Sequence, residues 1–142
     1  MQYLQSLSLL EERIQAAVEL VTYLKSEKKK YEGRHSVASR RHHRGVVFSP
    51  LGPEFIDRAC VHLAHELCHT LGATDKYAGE ESLFPDGFAD PDREPLYPQE
   101  EAEVMALGIP ISRGRERGAE DLGDCRMGRK TAEEIGWRAA PR

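Results

Sequence analysis

Near the start of the chain Leu7, Leu10, Ile14, Ala17, Val18, Val21 and Leu24 recur mostly at steps of three and four residues. That spacing puts them on one face of a 3.6-residue turn and predicts a long amphipathic helix within 1–34. Ser8, with Glu11 three residues on, is a capping box, Lys28 to Lys30 suit the negative pole at the far end, and Gly33 ends the helix. Over 35–50 the pattern shortens. Two apolar stretches, 35–39 and 45–49, flank a polar cluster, which predicts a hairpin or two strands of a small sheet. After a turn at 49–53, Ile56, Cys60, Leu63, Leu67 and Leu71 return to helical spacing. They predict a second helix over 53–71 with those side chains buried and Pro53 and Glu54 in its first turn. Arg58, His62, His65 and His69 are then expected on the opposite flank, away from the core. Four prolines and a glycine make 84–98 an irregular loop, and 114–123, rich in glycine and charge, reads as another.

This order of elements predicts one α+β domain spanning 1–142, with 72–142 as its C-terminal subdomain. Composition agrees: charged residues are 31% and hydrophobic ones 39%, as in folded globular chains. No apolar run nears the roughly 18 residues that span a bilayer, so no membrane partner is expected. The first ten residues lack a basic start and a continuous apolar block, which favours a cytoplasmic protein, or a secreted one if the chain is a mature fragment. Cys60 and Cys68 lie too far apart on one helix to bond, and three cysteines without a signal segment favour free thiols. Between Lys25 and Arg44 eight basic residues face only Glu27 and Glu32. With no interleaved aromatics beyond Tyr31, this reads as a solvated helix end and turn, not a nucleic-acid surface. A monomer is expected. His42 and His43, adjacent at a loop tip, face opposite ways and make a poor metal clamp.

The chemistry concentrates in His65-Glu66-Leu67-Cys68-His69. Residues four apart share a helical face, so both imidazoles can address one ion. Glu66, about 100° around the helix, is placed to reach a water rather than the metal. Gly72 suits the left-handed residue that ends a helix, and the sharp turn there lets Asp75 return to the same ion. Two imidazoles and a carboxylate suit Zn²⁺, with one position left for water and Glu66 as general base. His62, one turn before His65, is a candidate for lining the cleft or supporting a ligand.

The segment from His65 to Asp75 resembles the elongated H-E-x-x-H-x-x-G-x-x-D motif of the metzincin clan of zinc peptidases, in the aspartate form of the snapalysins. The resemblance implies a zinc endopeptidase acting on a peptide or protein substrate, with His65, His69 and Asp75 as ligands and Glu66 as general base and acid. It also implies a methionine turn, for which Met105 is the candidate and Met127 the competitor, and a closing helix matching 131–137 with Thr131 as its cap. Only 52 residues precede Pro53, so the sheet that clan members place there is expected in reduced form. Tyr77, beside Asp75, is a candidate for oxyanion support or an anchoring role. Two other readings stand beside this one. In a gluzincin-type peptidase Glu100, Glu101 or Glu103 would be the third ligand; in a non-catalytic zinc-stabilised interaction module the ion would serve stability alone. Asp86, Asp90 and Asp92 are candidates for a structural Ca²⁺, although their spacing departs from the helix-loop-helix calcium pattern.

Overall fold

The computed structural model describes residues 36–49 and 52–137. The helix expected within 1–34 lies outside them. The described residues have α+β architecture: two α-helices and four two-stranded ribbons. Among them no helix is long and apolar enough to cross a membrane.

The expected hairpin is present. Val37–Ser39 (β1) and Arg44–Val46 (β2) pair antiparallel, Val37 opposite Val46 and Ser39 opposite Arg44. The basic cluster at 40–43 forms its tip. Adjacent His42 and His43 diverge, as expected. His42 contacts Ser39, while His43 takes a positive φ of 48° and donates from Nδ1 to the Thr70 carbonyl at 3.2 Å.

A 3₁₀ turn at Pro53–Phe55 leads into the long helix, Ile56–Leu71 (α1). Proline fits a first turn because its missing N–H has no partner to lose there, and Glu54 and Asp57 set negative charge at the positive pole. Three carbonyls of the last turn are satisfied. Ala73 N–H donates to Cys68 O, Gly72 N–H to His69 O, and His43 to Thr70 O. The crossed pair of backbone bonds needs a left-handed residue, and Gly72 supplies it at φ 108°. The side chain of Arg40 lies against this glycine, and a Cβ there would come within 2.9 Å of its Nε, so the guanidinium would have to shift.

The buried face of α1 is not the expected one. Ile56 is 58% exposed, and Cys60, Leu63 and Leu67 are only half-buried. Leu71 is buried as expected, and Val61, His65, Glu66, Cys68 and Thr70 are buried with it. The cause is the C-terminal half of the chain, which packs over the histidine side of α1. Cys68 and Leu71 meet Ala73, Val104, Met105 and Ile135 in one core cluster; Val61 meets Ala102, Ile109 and Ala119 in another.

Short ribbons deliver those residues. Tyr77–Ala78 (β3) pairs with Glu81–Ser82 (β4), and Ala102–Glu103 (β5) pairs parallel with Cys125–Arg126 (β8). Gly108–Ser112 (β6) and Arg115–Gly118 (β7) form a second hairpin, which corrects the loop expected over 114–123. The charged side chains of β7 concealed a strand whose backbone is fixed by its partner, and Gly114 turns the chain at φ 70°. Residues 84–98 are irregular, as expected; only Phe88 makes an isolated bridge, to Ala102.

The closing helix is Arg129–Glu134 (α2), shorter than expected and capped differently. Its N-cap is Gly128. Thr131 lies inside the helix, because its hydroxyl donates to the buried Glu103 carboxylate at 2.6 Å. Gly136, at φ 80°, ends the helix before Trp137. All three cysteines are free; burial, with Glu103 adding to it, pushes the Cys68 thiol up to about 11.

Gly72→Ala tests the turn. A left-handed non-glycine residue pressed against Arg40 should cost about 1–3 kcal/mol of stability in urea unfolding. An unchanged midpoint would remove this account of the helix end.

Candidate metal centre

Two turns of backbone bring the three donors together. α1 stacks His65 and His69 on one face, and the left-handed turn at Gly72 returns the chain so that Asp75 meets both rings. Asp75 Oδ1 lies 3.3 Å from His65 Nε2 and 3.1 Å from His69 Nε2, and the two Nε2 atoms are 3.0 Å apart. Among the described residues this is the one group of three such side chains able to hold an ion.

The far side of each ring fixes its chemistry. His65 Nδ1 donates to the Val104 carbonyl at 3.1 Å, and His69 Nδ1 to the Ala73 carbonyl at 2.9 Å. A carbonyl only accepts, so each Nδ1 carries a hydrogen, and it is the Nε2 of each ring that is turned toward the shared point. Burial pushes the His65 imidazole below its ordinary value and prevails over the opposing Val104 carbonyl and Asp75 carboxylate, which favours the neutral form. Two Nε2 atoms and a carboxylate oxygen therefore converge within 3.3 Å. A shared proton or a metal cation among them satisfies such a set. A tetrahedral ion with bonds of about 2.0–2.1 Å holds its donors roughly 3.3 Å apart. The observed separations fit that requirement.

Glu66 stands beside the trio without joining it. The residue is 5% exposed, and its Oε2 has no hydrogen-bond partner. Burial raises its carboxyl above the usual range, with His69 opposing and Asp75 adding to the effect. Tyr77 sits at the solvent edge, its ring 6.3 Å from that of His65. Burial, Asp75 and Glu66 all push its phenol up. His62 is outside the trio. With Arg58 and Tyr77 it lines a cleft of about 550 Å³ that runs between α1 and the β6–β7 hairpin. Burial, then Arg58, lowers its imidazole.

Met105 is fully buried in the turn at 104–106, between two supports of the site. Val104 O takes the His65 hydrogen bond, and Met105 O accepts from Lys76 N at 3.0 Å. Met127 is half-buried at the edge of the same cluster. The three glutamates considered as ligands are engaged elsewhere. Glu100 pairs with Arg93 at 2.9 Å, and Glu101 with Arg126 at 3.6 Å. Glu103, wholly buried, accepts from Met105 N and Thr131 Oγ1 at 2.6 Å and from Gly128 N at 3.1 Å. Asp86, Asp90 and Asp92 are not brought together as a cation site. Of the flank expected to face away from the core, Arg58 is exposed and His62 and His69 are half-buried; His65 is the correction, buried with its Nδ1 against the turn at 104–106.

Several supports carried no signal in the sequence. The Val104 and Ala73 carbonyls are backbone groups, which residue identity does not announce. Glu103 had a weak one: a lone acid within the otherwise apolar run Ala102 to Leu107. Comparison with known families, with curated proteins and with solved structures found no match.

Purified protein should bind one equivalent of Zn²⁺ in calorimetry. His69→Ala and Asp75→Ala should each weaken binding by at least about tenfold, because each removes one of three donors. Glu100→Ala and Glu101→Ala should leave it unchanged. Full affinity after loss of Asp75 would remove the carboxylate from the site.

Proposed function

We propose that the chain is a zinc-dependent endopeptidase with a reduced metzincin-like scaffold. The observation that carries this reading is the buried, unpartnered oxygen of Glu66 beside three converging donors. A site serving stability alone has no need of a free carboxylate there, and leaving one buried costs stability. His65, His69 and Asp75 hold the ion. When bound, Zn²⁺ supplies a Lewis acid that polarises the scissile carbonyl and lowers the pKa of a water toward neutrality.

The chain's own groups do the rest. Glu66 takes the proton of the attacking water and passes it to the departing amine nitrogen, so that neither a free hydroxide nor an amide anion has to form. Its buried position keeps that transfer out of competition with bulk solvent. Tyr77, at the exposed edge, donates its phenolic hydrogen to the oxygen on which negative charge develops. The His65 and His69 rings are held in one tautomer by the Val104 and Ala73 carbonyls and do not reorient during turnover. The cleft between α1 and the β6–β7 hairpin has room for several residues of an extended peptide. Met105, buried in the core cluster with Val104, anchors the turn whose Val104 carbonyl takes the His65 hydrogen bond.

Glu66→Gln separates chemistry from binding. Zinc affinity should stay at the wild-type level, while cleavage of an unfolded protein substrate falls by about 10²–10⁴-fold. Cleavage at the wild-type rate in this variant, or cleavage that persists in full with a chelator present, would sink the mechanism.

A further inference from the structure

Asp75 is the ligand least supported by regular structure. It lies in the stretch 73–76, between the end of α1 and β3, and its side chain is 46% exposed. A ligand on an open stretch aligns with two helix-borne imidazoles only if the backbone on both sides of it is fixed. Both neighbours of Asp75 reach the same group, the Glu134 carboxylate at the end of α2. On one side Thr74 donates from its backbone N to Glu134 Oε2 at 2.9 Å and from Oγ1 to Glu134 Oε1 at 3.1 Å. On the other, Lys76 Nζ donates to Glu134 Oε2 at 2.7 Å.

Lys76 is 4% exposed, and its three ammonium hydrogens are all accounted for. Besides Glu134 they go to the Thr74 carbonyl at 2.8 Å and the Thr74 hydroxyl at 2.7 Å. Its backbone N–H is held by Met105 O. A buried ammonium tolerates no loose partner, so the carboxylate, the lysine and the threonine form one closed unit around the residue that carries the ligand. Burial pushes the Glu134 carboxyl up, but the hydrogen bonds from Lys76 and Thr74 outweigh it and leave the group below its ordinary range.

We infer that Glu134 is a positioning residue for the metal centre, acting through Thr74 and Lys76 to hold Asp75 against His65 and His69. This rests on the proposed zinc site. Glu134 touches neither substrate nor ion.

The test uses the full chain and reads zinc affinity by competition with a chromophoric chelator, the visible spectrum of the Co²⁺-loaded protein, and the melting temperature of the metal-free protein. Glu134→Gln removes the charge. The double variant Lys76→Met with Glu134→Leu removes both partners and leaves no uncompensated buried charge, a replacement that is often neutral for stability. Zinc affinity should fall by about 10–100-fold in both, the cost usual for losing a support of a ligand. The Co²⁺ bands should shift in both, while the double variant melts near the wild-type temperature. Affinity and spectrum at wild-type values in the two variants would overturn the positioning role alone. So would affinity that simply follows the melting temperature and returns to normal in the double variant. A wild-type protein that takes up neither Zn²⁺ nor Co²⁺ would overturn the metal reading, and the positioning role with it.

Discussion

Two imidazole Nε2 atoms held 3.0 Å apart, with the Asp75 carboxylate against both, form the constraint on which the rest of this structure turns. Helix periodicity brings the rings to one face, but it does not decide which nitrogen of each carries hydrogen. The Val104 and Ala73 carbonyls decide that. By claiming both Nδ1 hydrogens they turn both Nε2 atoms and the Asp75 carboxylate toward one point, which a shared proton or a metal cation can satisfy. Much of the C-terminal half contributes to this. The turn at 104–106 is anchored by Glu103, whose carboxylate satisfies Met105 N, Gly128 N and the Thr131 hydroxyl at once.

The sequence made the donors legible because they sit close together and their spacing is set by local geometry. His65 and His69 follow from the helical repeat, and Gly72 followed by Asp75 from the chemistry of a left-handed helix end. The same local logic found α1, the β1–β2 hairpin and the irregular stretch at 84–98. It failed where a residue's state depends on a distant part of the chain. Leu63, Leu67 and Ile56 have the spacing of a buried stripe, yet the C-terminal half covers the histidine flank instead, and that choice is invisible in the periodicity of α1. Arg115, Glu116 and Arg117 look like loop residues until β6 is there to pair with them. Thr131 looks like a cap until Glu103 claims its hydroxyl.

Burying the histidine side of α1 also changes what the site can do. A metal-binding face turned to open solvent would leave Glu66 hydrated and ordinary. Buried, its carboxyl is pushed up and one oxygen is left without a partner, a cost to stability. Tyr77, whose ring lies 6.3 Å from that of His65, and His62 both line the neighbouring cleft.

The position of α2 in the chain ties the donor segment to distant sequence. Lys76 and Thr74 meet their partner across 58 and 60 residues of sequence, and the support beneath His65 is tied to Gly128 and Thr131. The three donors are close together in sequence, but the contacts that hold the backbone around them are not, and the segment takes this geometry only where α2 is packed against it.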